Sequence, residues 1–141
     1  MSYLRHTTYD PTIAVDVVQG RFEVFALNFY SSVFAEQLRD GRKTATIRLG
    51  DKRDKYQSGQ IVWLTVGRRH GTRKKIATAI IDAVEVKSLK EVSPREIQRD
   101  NPELRRHEEL VDWLSAIYGR ERQVSPEDTV TVIHFSRVDE A

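Results

Sequence analysis

Three β-rich runs follow one another between residues 44 and 86 with no helical segment among them, and this order constrains the fold more than any other feature of the chain. The runs are Thr44 to Leu49, Gln60 to Val66 (entered from Ser58-Gly59) and Lys75 to Val86, the last rich in Ile, Val, Thr and Ala. Ahead of them, Phe22 to Leu27 is too apolar for a half-exposed strand and reads as a buried one. Asn28-Phe29-Tyr30 then leads through Ser31 into a helix with Val33, Phe34, Gln37 and Leu38 at helical spacing. Asp40-Gly41 stops it, with Gly41 suited to a left-handed cap. Beyond the three runs, Ser93-Pro94-Arg95-Glu96 has the form of a capping box with proline at the first helical position. The helix it opens breaks near Asn101-Pro102. A second helix spans His107 to Tyr118, with Leu110, Trp113, Leu114 and Ile117 as its apolar stripe, Trp113 assigned to the core, and Gly119 closing it. Ser125 to Asp128 turns the chain into a last strand, Thr129 to Val138. The order β-α-β-β-β-α-α-β lacks the alternation of a parallel sheet. It predicts an α+β fold: a small, mostly antiparallel β-barrel or sheet with flanking helices.

At 141 residues the chain is expected to form one domain over residues 21–141, preceded by an arm over residues 1–20. In the arm, Tyr9-Asp10-Pro11 signals a turn and Ile13 to Val18 is a short apolar run that would be disordered or add an edge strand. Cysteine is absent, which excludes disulfides, thiolate metal sites and cysteine nucleophiles and is compatible with the cytoplasm, the expected compartment. His6, His70, His107 and His134 show no metal-ligand spacing, so neither a metal nor another cofactor is expected. No run approaches the roughly 18 apolar residues of a membrane span, and no signal pattern opens the chain. No membrane partner is expected.

Formal net charge is +2, yet Arg39 to Lys75 holds twelve Lys and Arg against Asp40, Asp51 and Asp54, a local +9 beside a remainder of −7. Such asymmetry predicts an anionic partner, RNA or a nucleotide first. Tyr56 would supply a stacking face, and Arg68, Arg69, His70, Arg73 and Lys74 would supply phosphate contacts from an exposed loop.

The densest chemistry lies in Gly41-Arg42-Lys43-Thr44-Ala45-Thr46-Ile47-Arg48, where cationic and hydroxyl groups meet a helix–strand junction. That combination suits a pocket for a polar, oxygen-rich ligand. On a regular strand residues 43 and 46 point to opposite faces. They share a pocket only if Lys43 precedes the strand or a bulge intervenes, and Gly41 favours the first.

The order helix, G-R-K-T-x-T-I-R, a short spacer, Y-x-x-G-x-x-V and a strand ending near Val84-Glu85-Val86 resembles the ASCH domain family, one of the PUA-like β-barrels, whose relatives are mostly RNA-associated. The resemblance covers about residues 24–138. Within that family the chain is similar to small bacterial amidohydrolases that remove the acetyl group from N4-acetylcytidine. The resemblance implies catalytic roles for Lys43 and Thr46. It places the family's glutamate, which precedes an asparagine, on Asp100 before Asn101, one methylene shorter; Glu96 and Glu103 are neighbouring carboxylates. A misplaced carboxylate can cost on the order of 10²-fold in rate.

Amide hydrolysis needs a nucleophile, a base and a donor for the oxyanion. Thr46 would attack or orient a water, and Lys43 would act as base if burial and the charges of Arg42 and Arg48 lower its pKa. Asp100 would position the cytosine amino group or activate the deacylating water. Arg42, Arg48 and Tyr56 would bind substrate. Two other readings share the scaffold: a non-catalytic RNA-binding module, and a ribonuclease using Lys43 with Tyr56 or His70. Zinc-dependent base deamination lacks its H-x-E and P-C-x-x-C ligands.

Overall fold

The computed structural model describes residues 15–18, 21–68, 71–119 and 123–138. Strands β1 (Val15–Val18) and β2 (Arg21–Val24) pair antiparallel as a ribbon of their own. The main sheet holds β3 (Ala26–Phe29), β4 (Ala45–Leu49), β5 (Ile61–Gly67), β6 (Arg73–Ser88) and β7 (Thr129–Arg137), in the order β3-β5-β6-β7-β4. Every pair is antiparallel except β3 with β5. With helices α1 (Val33–Arg39), α2 (Pro94–Asp100) and α3 (His107–Tyr118), the sheet forms a curled half-barrel of the α+β class.

The single buried strand expected over Phe22 to Leu27 is two strands. β2 stays in the ribbon, Phe25 intervenes, and β3 joins the main sheet beside β5, where the Trp63 N–H donates to the Phe25 carbonyl. The apolar run at Val15–Val18 likewise pairs with β2 and not with an edge of the main sheet.

The 16 residues of β6 serve two partners. Its first half pairs with β5 and its second with β7, and the register shifts between Ile81 and Ala83 where the strand turns from one to the other. A shift of this kind bends a strand and increases its twist, which curls a sheet. The curl leaves β3 and β4 as the two edges.

Period-two alternation sends β7 into two cores. Ile133 and Phe135 pack with Phe29, Phe34, Leu38, Tyr56 and Leu64 on one face. Val130 and Val132 pack on the other with Ile47, Leu49, Ile97, Leu110 and Leu114, under α2 and α3. Trp113 touches both clusters and meets Phe34 edge-on, ring centroids 5.5 Å apart.

The local signals act as their chemistry demands. Gly41 takes a φ of +79° just past α1, a conformation costly for any side chain with a Cβ. The Ser93 hydroxyl accepts from the Glu96 N–H while the Glu96 carboxylate accepts from the Ser93 N–H, the complete capping box of α2. Among the described residues no helix is long and apolar enough to cross a membrane.

Candidate active site

Lys43 lies before β4, in the short segment between α1 and the strand. Three backbone bonds tether that segment: Lys43 N–H to the Gln37 carbonyl, Thr44 N–H to the Arg99 carbonyl, and Phe135 N–H to the Thr44 carbonyl. The pre-strand position frees Lys43 from strand alternation. Its side chain runs inward, 2% exposed as a residue, and the ammonium donates to the Ala45 carbonyl at 2.9 Å and to the Asp100 carbonyl and carboxylate, each at 2.5 Å. The rings of Phe34 and Phe29 lie 4.6 and 4.9 Å from Nζ. Burial is the strongest influence on this amine and pushes its pKa below the ordinary lysine value; Arg48 adds to the depression, and Asp100 opposes it without cancelling it.

Thr46 and Arg48 sit two apart on β4 and so share a face. The Arg48 Nε donates to the Thr46 hydroxyl oxygen at 3.1 Å and its Nη2 to the Asn28 carbonyl at 3.0 Å. Arg48 thereby spans the opening between edge strands β4 and β3 and holds one lone pair of the Thr46 hydroxyl. Its guanidinium stacks over Phe29, 5.2 Å from the ring centroid, and Nη1 has no acceptor among the described residues. Asn28 is anchored in turn: its amide donates to the Gly67 carbonyl, and its oxygen accepts from the Thr65 hydroxyl.

These groups line one cavity of about 140 Å³. Lys43, Thr46, Arg48 and Asp100 supply its polar chemistry, and Phe29, Phe34, Trp113 and Tyr118 supply aromatic walls. The volume is below the roughly 300–1,000 Å³ of sites for drug-sized ligands. It suits one planar ring with a short substituent. Burial raises the Tyr118 phenol above its ordinary pKa, so this wall is neutral near neutral pH.

The other predicted residues lie elsewhere. Arg42 is exposed and bound to Asp40, Nε to Oδ2 at 2.8 Å, and does not border the cavity. Tyr56, expected as a stacking face, is a core residue 4% exposed, its hydroxyl 3.4 Å from the Ala26 carbonyl; its remaining edge borders a neighbouring depression. Arg68, Arg73 and Lys74 flank the β5–β6 turn and do not line the cavity, though Arg68 and Lys74 border an adjoining depression, while Arg69 and His70 fall outside the described residues. Of the two neighbouring carboxylates, Glu103 is exposed. Glu96 is buried in the capping box, with Lys87 at 2.9 Å and His134 at 3.3 Å.

Glu85, Glu96 and His134 bring three ligand atoms within 4.8 Å of one another. The Lys87 ammonium already bonds both carboxylates, at 3.1 and 2.9 Å, and supplies the positive charge that a cation would bring.

Residue reasoning missed the aromatic walls and Tyr30, which is 50% exposed and borders the cavity together with two adjoining depressions. Phe29, Phe34 and Trp113 read only as core in a sequence. Tyr30 carried a signal: a large aromatic at a strand–helix junction with no periodic place in either.

Solved structures share this architecture. An ASCH domain from Lactobacillus crispatus JV V101 superposes with a TM-score of 0.61 at 16% identity, over 81% of this chain and 80% of that one. An Enterococcus faecalis V583 protein of the DUF984 family superposes with a TM-score of 0.61 at 18% identity, over 83% and 82% of the two chains. At these identities the likeness establishes an ASCH-like fold. No protein-family model and no curated protein matches the chain in sequence.

Proposed function

We propose that this chain is a metal-independent amidohydrolase that removes the acyl group from N4-acetylcytidine or a related N-acylated nucleoside. One observation carries the reading: a buried amine of depressed pKa, hydrogen-bonded to a carboxylate, lines the same small aromatic cavity as a threonine hydroxyl. A surface that only binds an anion keeps its lysines solvated and fully charged. A lysine desolvated against two phenyl rings gives up its proton more readily than an exposed one and is suited to proton transfer.

The chemistry follows from those contacts. Moving one proton across the 2.5 Å contact from Lys43 Nζ to Asp100 Oδ1 converts the ion pair to a neutral amine and a neutral acid. The amine then takes the Thr46 hydroxyl proton as Thr46 Oγ1 forms a bond to the acyl carbon. The carbonyl oxygen becomes an oxyanion, and the free Nη1 of Arg48, on the same strand face, is the group available to stabilise it. As the C–N bond breaks, Lys43 returns the proton to the departing amine of cytosine. Water then attacks the threonine ester, Lys43 taking its proton and passing it to Thr46 Oγ1 as the ester C–O bond breaks; the carboxylic acid leaves, and Asp100 returns its proton to Lys43. A water oriented by Thr46 would use the same base and the same oxyanion donor. Asp100 reaches Lys43 despite its short side chain because α2 ends beside the segment 43–45, where the Arg99 carbonyl binds Thr44.

The test is chromatography of N4-acetylcytidine incubated with the protein and with Lys43→Ala. Conversion to cytidine by wild type, with the variant down by about 10³-fold or more, is expected for loss of the proton-transfer group. No conversion by a folded wild-type protein overturns the reading.

A further inference from the structure

The cavity opens beside a second depression of about 250 Å³, and the two share Tyr30, Arg48, Ile117 and Tyr118 as common walls. What the second depression adds is positive charge: Lys52 and Lys55, both exposed, on the turn that follows β4. The turn is ordered by its own backbone bonds, with the N–H groups of Lys55 and Tyr56 donating to the Lys52 carbonyl at 3.0 Å. It is also anchored to the sheet, since the Lys52 N–H donates to the Thr131 hydroxyl, which itself donates to the Gly50 carbonyl. The acids on this turn do not neutralise the depression. Asp51 is held by Arg53, Nη2 to Oδ2 at 2.7 Å, and Asp54 faces the same arginine. Neither Lys52 nor Lys55 makes an ion pair among the described residues; the Lys55 ammonium lies 5.4 Å from the Tyr56 ring centroid. Among the described residues three cationic side chains, counting Arg48, thus border a concavity contiguous with a pocket of base size, and no carboxylate lines it.

We propose that this depression is a phosphate subsite, so that the preferred ligand of the cavity is a phosphorylated nucleoside: base among the aromatic walls, ribose at the shared rim, phosphate on Lys52 and Lys55. The inference rests on the proposed function for the identity of the base and goes beyond it in assigning the phosphate. A nucleoside alone leaves both ammonium groups without a counter-charge. A phosphate meets them with charge-assisted hydrogen bonds at modest cost in desolvation, because both are already solvent-exposed. The phosphate has two sources, a mononucleotide or a strand. On the far side of Tyr30 a third concavity carries Arg39, Arg68 and Lys74, where a strand's next phosphate would lie.

The experiment compares hydrolysis of N4-acetylcytidine, its 5′- and 3′-monophosphates and an acetylated trinucleotide by wild type and by Lys52→Glu/Lys55→Glu. Both substitutions are on exposed side chains that do not line the cavity of the Lys43–Asp100 pair, and circular dichroism checks the fold. We expect one monophosphate to gain roughly tenfold in kcat/KM over the nucleoside at low ionic strength, for two or three solvent-exposed ion pairs. The gain should vanish in the double variant, whose nucleoside kcat/KM should stay within about twofold of wild type. Equal kcat/KM for nucleoside and both monophosphates overturns the subsite. A further gain for the trinucleotide that Arg39→Glu/Lys74→Glu removes assigns the phosphate to a strand; no further gain assigns it to a mononucleotide. If no substrate is hydrolysed, the proposed function fails alone. Calorimetry with cytidine and its monophosphates then decides the subsite: a preference for phosphate that requires Lys52 and Lys55 supports it, and equal binding overturns it.

Discussion

The Lys43 ammonium has three protons and three acceptors, and those acceptors are what allow a charged group to sit with a side chain only 1% exposed. A buried pair of this kind is costly to break and cheap to replace, because the charge left behind has no water to turn to. Lys43→Met should therefore lower stability by about 3–5 kcal/mol, the usual cost of stranding a buried charge. Lys43→Met/Asp100→Leu should recover most of that loss while remaining inactive. Urea denaturation checks both, and a double variant as unstable as the single one would show that packing, not charge, dominates the site. At this scale the sequence was legible in part. The pre-strand position of Lys43 follows from Gly41, and the pairing of Thr46 with Arg48 on one face follows from their spacing. Tyr56 was misleading, since an aromatic in a basic segment looks the same whether it faces a ligand or, as here, the core.

Among the elements, α2 decides the geometry of the site. It has seven residues, too few to persist without help, and its help is the capping box at one end and the Glu96 contacts to Lys87 on β6 and His134 on β7. Burial pushes the Glu96 carboxyl up, but the Ser93 N–H and the Lys87 ammonium together outweigh it and hold the group below its ordinary value of 4.5. A carboxyl depressed in the folded state adds stability above its unfolded pKa and loses it as pH falls through the folded one. Glu96→Gln should thus be clearly destabilised at neutral pH, with the gap to wild type narrowing as pH falls below the ordinary carboxylate range, as urea midpoints along that series would report. Ser93→Ala should cost about 1 kcal/mol. The capping box, the break at Asn101-Pro102 and the extent of α3 are all visible in the sequence, because each is set by residues within one or two helical turns. The division of Phe22 to Leu27 between two sheets was not visible, since an apolar run does not say which partner strand will claim each half.

Across the whole molecule, the five-stranded sheet carries apolar side chains on both faces, and the β1–β2 ribbon shares no strand pairing with it. Removing residues 1–24 should leave the thermal midpoint within about 5 °C of the full chain, about the shift expected from roughly 1 kcal/mol in a domain of this size. A larger drop would place the ribbon inside the cooperative unit. From α1 onward the sequence by itself determined the order and class of the main elements, their caps and the clustering of positive charge, because periodicity, capping and turn chemistry act between near neighbours. Only the tertiary structure decided that Asp100 meets Lys43 from 57 positions away, that four core-type aromatics wall a cavity, and that Lys52 and Lys55 border its mouth. Those placements depend on how a bulged strand curls the sheet and where α2 and α3 settle against it. They are sums over many packing contacts, with no short-range pattern in the sequence to announce them.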